Sequence, residues 1–518
     1  MIVKLDNLGA AGFIPDLPAH DLPEDPLAWS SVRNMNFRAN LCERVEGYDS
    51  GFDTTPTEIS YGLFAATQAG GTPYIVGCAD AKVYSYTGTT ETDITGAVTV
   101  AATADTKWTG AQLSGLLVLN ETVNAPVYIA VSGLGSGTLA ALSNWPASTL
   151  CKSLRAYKYQ LVAMNMTESS TAYPYKVRWS NSAVPGALPT SWVAATTNDA
   201  GSVDLSEGDG AIIDGIPFGD QFAIFRESGI WLMRYVGGTA IHVFNKVPNA
   251  IGGLLGNNCV TNVPGIGLVA MSSTDIYIFD GSATTSILDK RMQRWYANNI
   301  SQSNGKRSFV VYNAKRKEVW CCFPTTSATA CDAAIIWNHV ENTLGYRDLP
   351  NCTAGVHAVV DESATTTYDT LAGTMDALSG TTDGLDARSI GSKTVLASTA
   401  NNLYVVGNAV DAAGTGMVGQ LERTSISLGD AQRVKYIRGI WPRFDATAGQ
   451  QFEITVGAQM SVDEAVSWAT PVTYTYGTSR FVPVNKSGRF LSLRIRNSSG
   501  ASWRLKSVDA DIEPRGLW

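Results

Sequence analysis

A chain of 518 residues is too long for one compact core and should divide into two to four domains. Apolar residues make up 45% of it but charged residues only 16%, against roughly 25% in a typical globular chain. Glycine, threonine, serine and alanine fill the difference, as in proteins made of many short strands and tight turns, and the net charge of −8 argues against general affinity for nucleic acid, which needs a basic footprint.

No run of about 18 apolar residues occurs, so no spanning helix is expected. The opening MIVKLDNLGAAGFIPDLPAH lacks the charged segment and long apolar core of an export signal, and synthesis in the cytoplasm is the expectation. The eight cysteines (Cys42, Cys78, Cys151, Cys259, Cys321, Cys322, Cys331 and Cys352) show no CxxC spacing and mostly sit inside apolar runs. They read as reduced, structural residues.

Taken in order, residues 1–57 form an extended N-terminal arm. PDLPAHDLPEDP is held open by its prolines, and Val32, Met35, Phe37, Leu41 and Val45 then suit an edge strand or a strap laid on another surface. From 58 to 350 a hairpin form recurs. TPYIVGCADAKVYSYTG ends at Gly88, and SGLLVLNETVNAPVYIAVSG ends 45 residues later at Gly133. Phe222–Phe225 turns through Glu227-Ser228-Gly229 into Ile230–Leu232. Leu268–Ala270 turns through Ser272–Asp275 into Ile276–Phe279. The glycines closing these two units, Gly237 and Gly281, lie 44 residues apart. The interval from Gly133 to Gly237 holds two periods, with its surplus in the loop SNSAVPGALPTSW, residues 180–192. Residues 307–324 and 333–350 fit one more unit. A period near 44 with about four strands each marks propeller blades, which bury their apolar faces only against one another. The expectation is all-β: an irregular β-propeller of about six blades, with a string of separate β-sandwiches as the alternative.

In ILDKRMQRWYANNI, residues 287–300, Leu288, Met292, Trp295 and Tyr296 share one helical face, opposite Lys290, Arg291 and Arg294; a connecting helix with a solvated face follows. Residues 351–430 form an Ala/Thr/Gly/Asp-rich connecting segment. It contains the tandem repeat TYDTLAG–TMDALSG, whose Asp369 and Asp376, with Asp383 and Asp386 beyond, lack the loop pattern of a calcium site. Residues 431–518 alternate apolar and polar positions in FEITVGAQMS, PVTYTYG, RFLSLRIRN and SWRLKSVDADIE, the pattern of an antiparallel β-sandwich. Twelve Lys/Arg against seven Asp/Glu make this part +5, which leaves −13 for the rest.

Catalytic motifs are not evident. The four histidines, His20, His242, His339 and His357, are far apart in sequence, and no HExxH, GxSxG or GxxxxGK[ST] occurs. GLLGNN, residues 253–258, is glycine-rich but has no following helix to present to a phosphate. Ser461-Val-Asp463-Glu-Ala-Val-Ser-Trp468 resembles the Asp-box of sialidases, with Ala465 in place of its glycine. In that motif the aspartate caps a turn, so the likeness is structural. No catalytic, cofactor-binding or metal-binding residue is assigned, and no cofactor is expected.

The segments VRNMNFRANLCERVEGY, KVRWSNSAVPGALPTSW, FGDQFAIFRESGIWLMRYVGG, DIYIFDG and DADIEPRG together resemble the tail nozzle, or tail tubular protein B, family of short-tailed bacteriophages. The resemblance implies a structural virion protein, not an enzyme. It implies a homo-hexameric ring below the portal and adaptor proteins, carrying fibres or spikes and passing DNA through its lumen without specific binding. The location it implies is the virion tail, assembled in the host cytoplasm. The acidic balance suits a tube along which DNA slides without sticking. The alternative function is a glycan-binding or sialidase-like propeller acting in receptor recognition.

Overall fold

The computed structural model describes residues 2–52, 54–361, 391–497 and 501–517. It is an irregular β-propeller joined to an antiparallel β-sandwich. Five four-stranded antiparallel sheets, spanning residues 62–93, 109–141, 149–204, 212–246 and 260–286, follow one another as blades 1 to 5. Each is built from consecutive hairpins, because short apolar runs separated by tight turns pair first with their sequence neighbours. The Phe222–Phe225 and Leu268–Ala270 hairpins are the second and third strands of blades 4 and 5. The surplus in blade 3 is the loop between its third strand, Thr171–Trp179, and its fourth, Gly201–Asp204.

The ring closes with seven blades, one more than the period suggests. Blade 6 comprises Phe309–Asn313, Glu318–Phe323, Cys331–Asn338 and the first half of the long strand Thr343–Val360. That strand crosses into blade 7, where its second half pairs with Gly391–Ser398. Gly391–Ser398 pairs with Leu403–Val406, and the outermost strand is Tyr48–Ser50, from the N-terminal arm. Adjacent inner strands touch in order around the ring, and that of blade 7 touches that of blade 1.

Apolar clusters fill the gaps between blades. Val76, Cys78 and Val83 meet Trp108 and Leu119 between blades 1 and 2. Phe309, Trp320 and Cys322 meet Leu396 and Val406 between blades 6 and 7. Leu63, Ile75 and Tyr86 meet Val395 and Val405 where the ring closes. Since each blade is covered on both faces, middle strands such as Leu116–Asn120, Gly267–Met271 and Glu318–Phe323 are buried along their whole length. Their sequences run apolar where a one-faced sheet would alternate.

The sandwich has two layers. One contains Arg433–Ala446, Val482–Gly488 and Trp503–Leu517; the other contains Gly419–Ile426, Gln451–Gln459 and Phe490–Asn497. Phe444 and Phe452 stack across the core, ring centroids 3.9 Å apart and planes 10° apart, with Trp503 edge-on to both. Its first strand begins at Gly419, twelve residues before the boundary drawn at 431 from alternation alone.

The boundary at residue 57 does not isolate a unit either, because the arm is shared out among the others. Ile2–Leu5 pairs with Val508–Asp511 in one sandwich layer, and Ser31–Arg33 pairs with Gln420–Glu422 in the other. The hairpin of Met35–Arg38 and Leu41–Arg44 pairs with Tyr346 of blade 6 on one side and Arg504–Leu505 of the sandwich on the other. A single 13-stranded sheet therefore runs from blade 6 into the sandwich.

The helix is shorter than its apolar spacing suggests, Gln293–Asn299. Lys290 sits at φ 57°, which breaks the preceding turn. Asp16 of the arm accepts the Arg294 and Trp295 amides at 2.7 Å each, so the helix is capped by a residue remote in sequence. The tandem repeat with Asp369, Asp376, Asp383 and Asp386 lies outside the described residues.

Candidate functional site

The innermost strands of the seven blades surround an axial channel with a cavity of about 390 Å³. Tyr61 and Phe64 of blade 1, Lys107 and Gln112 of blade 2, Arg155 of blade 3, Pro217 of blade 4, Asn258 of blade 5, Phe309 of blade 6 and Thr353 of blade 7 line it. Every blade contributes because its inner strand, or the loop leading into it, faces the axis.

Asp214 anchors the wall. Its side chain is fully buried, and Arg155 donates to it through Nε at 2.9 Å and through Nη2 at 2.5 Å. Ser153 Oγ and the Asn258 amide also donate to this carboxylate. Burial pushes the Asp214 carboxyl up, but the Arg155 guanidinium and these hydrogen bonds outweigh it and hold the group below the usual range. Arg155 reaches further, to the Gly110 carbonyl at 3.2 Å and Asn258 Oδ1 at 2.8 Å. Blades 2, 3, 4 and 5 are thus tied together at the axis by one ion pair. Asp214 is fully engaged in that framework.

Lys107 lies beside this pair, 5% exposed, on the loop entering blade 2. Its ammonium donates to the Ser308 carbonyl and stands 5.7 Å from the Phe309 ring centroid. Burial lowers its pKa. The surrounding thiols are pushed the other way, also by burial: Cys259 to about 11 and Cys331 to about 12. All eight cysteines are free and buried, in keeping with their apolar sequence setting.

A second cavity of about 320 Å³, which shares Lys107 with the first, is lined by Asp105, Lys107, Lys152, Gly256, Asn257 and Lys306. The GLLGNN segment forms part of this rim. A Cβ on Gly256 would stand 2.5 Å from the Lys306 carbonyl oxygen, so only glycine lets the two loops approach. As its sequence indicates, the segment leads into a strand, Val260–Val263, and not a helix. Its role is set by neighbours that pattern analysis cannot supply.

The other sequence candidates lie apart from the axis. His242 is buried between blades 3 and 4, where its Nε2 meets Gln160 Oε1 at 2.8 Å; burial lowers it to about 4. His357 hydrogen-bonds to Thr394 and Ser392 within blade 7, His339 contacts Tyr312, and His20 is exposed beside Asp21. On the connecting helix and the turn before it, Arg291 is tied to the Asn342 and Ile287 carbonyls. In the Asp-box-like turn, Glu464, not Asp463, accepts the amides of Met460 and Ser461, at 3.2 and 3.3 Å. Trp468 lies under the Arg494 guanidinium, 4.3 Å from it. The likeness to a sialidase Asp-box therefore does not extend to the capping residue.

No group of three side chains suited to a metal ion occurs among the described residues, and no helix there is long and apolar enough to cross a membrane. No family model matches the sequence, and no curated protein matches it. Among solved structures, the chain is similar to one in the mitotic checkpoint complex, at 9% identity over 70% of this chain and 92% of that one, with a TM-score of 0.38. It is also similar to BBS1N, crystallised with ARL6DN, at 8% identity over 70% and 95%, with a TM-score of 0.36. A third is PorZ of the type-IX secretion system of Porphyromonas gingivalis, at 9% identity and a TM-score of 0.37; 85% of this chain aligns with 46% of that one.

Proposed function

We propose that this chain is a structural virion subunit, the nozzle of a short-tailed bacteriophage tail, working as a homo-oligomeric ring below the portal and adaptor proteins. The observation that carries the reading is the set of resembling segments and where they fall. VRNMNFRANLCERVEGY is the hairpin joining propeller to sandwich and runs on to the start of the strand that closes blade 7. DADIEPRG lies in the strand Trp503–Leu517 that pairs with both Arg433–Ala446 and the N-terminal strand. FGDQFAIFRESGIWLMRYVGG and DIYIFDG are blade strands. These residues hold a scaffold together, which is what an assembly subunit requires of its most characteristic sequence.

In this reading DNA does not pass along the axis of any single propeller. A cavity of about 390 Å³ holds on the order of ten waters, whereas the major groove of a duplex alone is about 12 Å wide. The DNA path is the lumen enclosed by several subunits, and fibres or spikes attach at the outside. Negative-stain imaging and mass photometry of the purified chain, alone and with portal–adaptor complexes, test the proposal. Rings of uniform order are expected. A monodisperse monomer under all these conditions would overturn it, and a monomer that binds sialylated glycans would point instead to receptor recognition.

A further inference from the structure

The axial mouth has an electrostatic character opposite to that of the whole chain. The chain carries −8, yet Lys107, Lys152, Lys306 and Arg307 converge on the mouth with one carboxylate, Asp105, among them. Asp105 is already taken by Arg307 at 2.8 Å and Lys306 at 3.6 Å. The neighbouring carboxylate, Glu121, is turned onto the amides of Val123 and Asn124. Deeper in, Arg155 and Asp214 cancel each other.

Lys107 separates this cluster from a chance grouping of surface lysines. It is buried, it lines both the outer mouth and the inner cavity, and the carboxylate that acts on it, Asp214, is already held by Arg155. One protein acceptor, the Ser308 carbonyl, meets an ammonium that has three donors. Burying a charge without a counter-charge is costly unless something supplies one. The inner cavity, about 390 Å³, is within the usual size range of small-molecule sites, roughly 300–1,000 Å³.

We propose that the axial mouth of the propeller is a binding site for a small phosphate-bearing anion, gripped from below by Lys107 and at the rim by Lys152 and Lys306. A phosphate suits it because the cationic groups approach from different blades, and an oxyanion with several oxygens can accept from all of them at once. The site is independent of ring assembly, since all its residues belong to one chain.

Isothermal titration of the full-length chain with pyrophosphate, in chloride of matched ionic strength, tests this. Saturable binding with one site per chain is expected. Lys107→Met keeps the aliphatic stem but removes the charge, and should weaken binding by about tenfold or more, the effect of losing one charge-assisted hydrogen bond. The exposed pair Lys152→Ala/Lys306→Ala should weaken binding severalfold while leaving the circular dichroism spectrum unchanged. Absence of saturable binding to the wild-type chain would overturn the proposal. So would an unchanged affinity in the rim variant, which decides the matter even where Lys107→Met does not fold.

Discussion

Blades 1 to 5 and the junction of blades 6 and 7 with the sandwich use the same strands and the same apolar packing, yet they are put together differently. In blades 1 to 5 each strand pairs with its neighbour in sequence, mostly across a short turn that sets the register, the long loop of blade 3 being the main exception. At the junction, partners lie hundreds of residues apart. Asp348 donates its amide to Asn34 at 2.8 Å, Arg423 reaches the Leu22 carbonyl, and Tyr48–Ser50 completes a blade begun near residue 353. The ring is thus locally determined over most of its circumference, and one N-terminal strap secures both its closure and its attachment to the sandwich. Loop-closure entropy makes such long-range pairing unfavourable until many contacts form together.

Removing the arm should break that contrast most visibly. Deletion of residues 2–52 takes away buried Phe13, Leu27, Trp29, Met35 and Phe37, each contributing about 1.5–3 kcal/mol. The combined loss rivals the whole stability of a domain, about 5–15 kcal/mol. Hydrogen-exchange mass spectrometry should show protection lost first in blade 7 and the sandwich, with blades 2 to 4 the most retained. Uniform loss would mean that the ring also depends on the strap.

Within the ring, Asp214→Asn leaves Arg155 without its counter-charge and should cost about 3–5 kcal/mol in urea unfolding, the usual penalty for breaking a buried pair. At the junction, Asp16→Ala removes the helix cap supplied by the arm and should cost about 1 kcal/mol in the same measurement. A larger effect for Asp16→Ala than for Asp214→Asn would reverse the picture of an axis-tied ring.

The last expected effect vanishes at neutral pH, because it is a pH slope. His242 has a folded pKa near 4, below its value of about 6.5 in the unfolded chain. Its contribution is fully present above pH about 6.5 and is lost as pH falls through the folded value, because the unfolded state binds the proton first. The melting temperature should fall over that window, and His242→Gln should flatten the fall. An identical slope in the variant would assign it to other groups.

How much was legible follows from the same contrast. The hairpins at 222–232 and 268–279 and the surplus loop of blade 3 could be read from apolar runs and turn residues, since their partners are sequence neighbours. The seventh blade could not, because its outer strand, Tyr-Asp-Ser, is three residues long and carries no pattern of its own. The helix read too long because its face is apolar from Leu288 onward, whereas its start is set by Asp16, 277 residues before Gln293. At the axial mouth, no motif or periodicity singles out Lys107. Its burial depends on Ser308 and Phe309 from the opposite side of the ring.

The sequence by itself determined that this chain is all-β, that it repeats with a period near 44 residues, and that its C-terminal strands alternate as a sandwich layer does. Those properties rest on side-chain periodicity and turn chemistry, which are local. The number of blades, the sharing of the arm among three sheets and the gathering of Lys107, Arg155 and Asp214 at one axis were decided only by the tertiary structure. Each depends on strands far apart in the chain burying one another, and no local pattern encodes which distant surface a strand will meet.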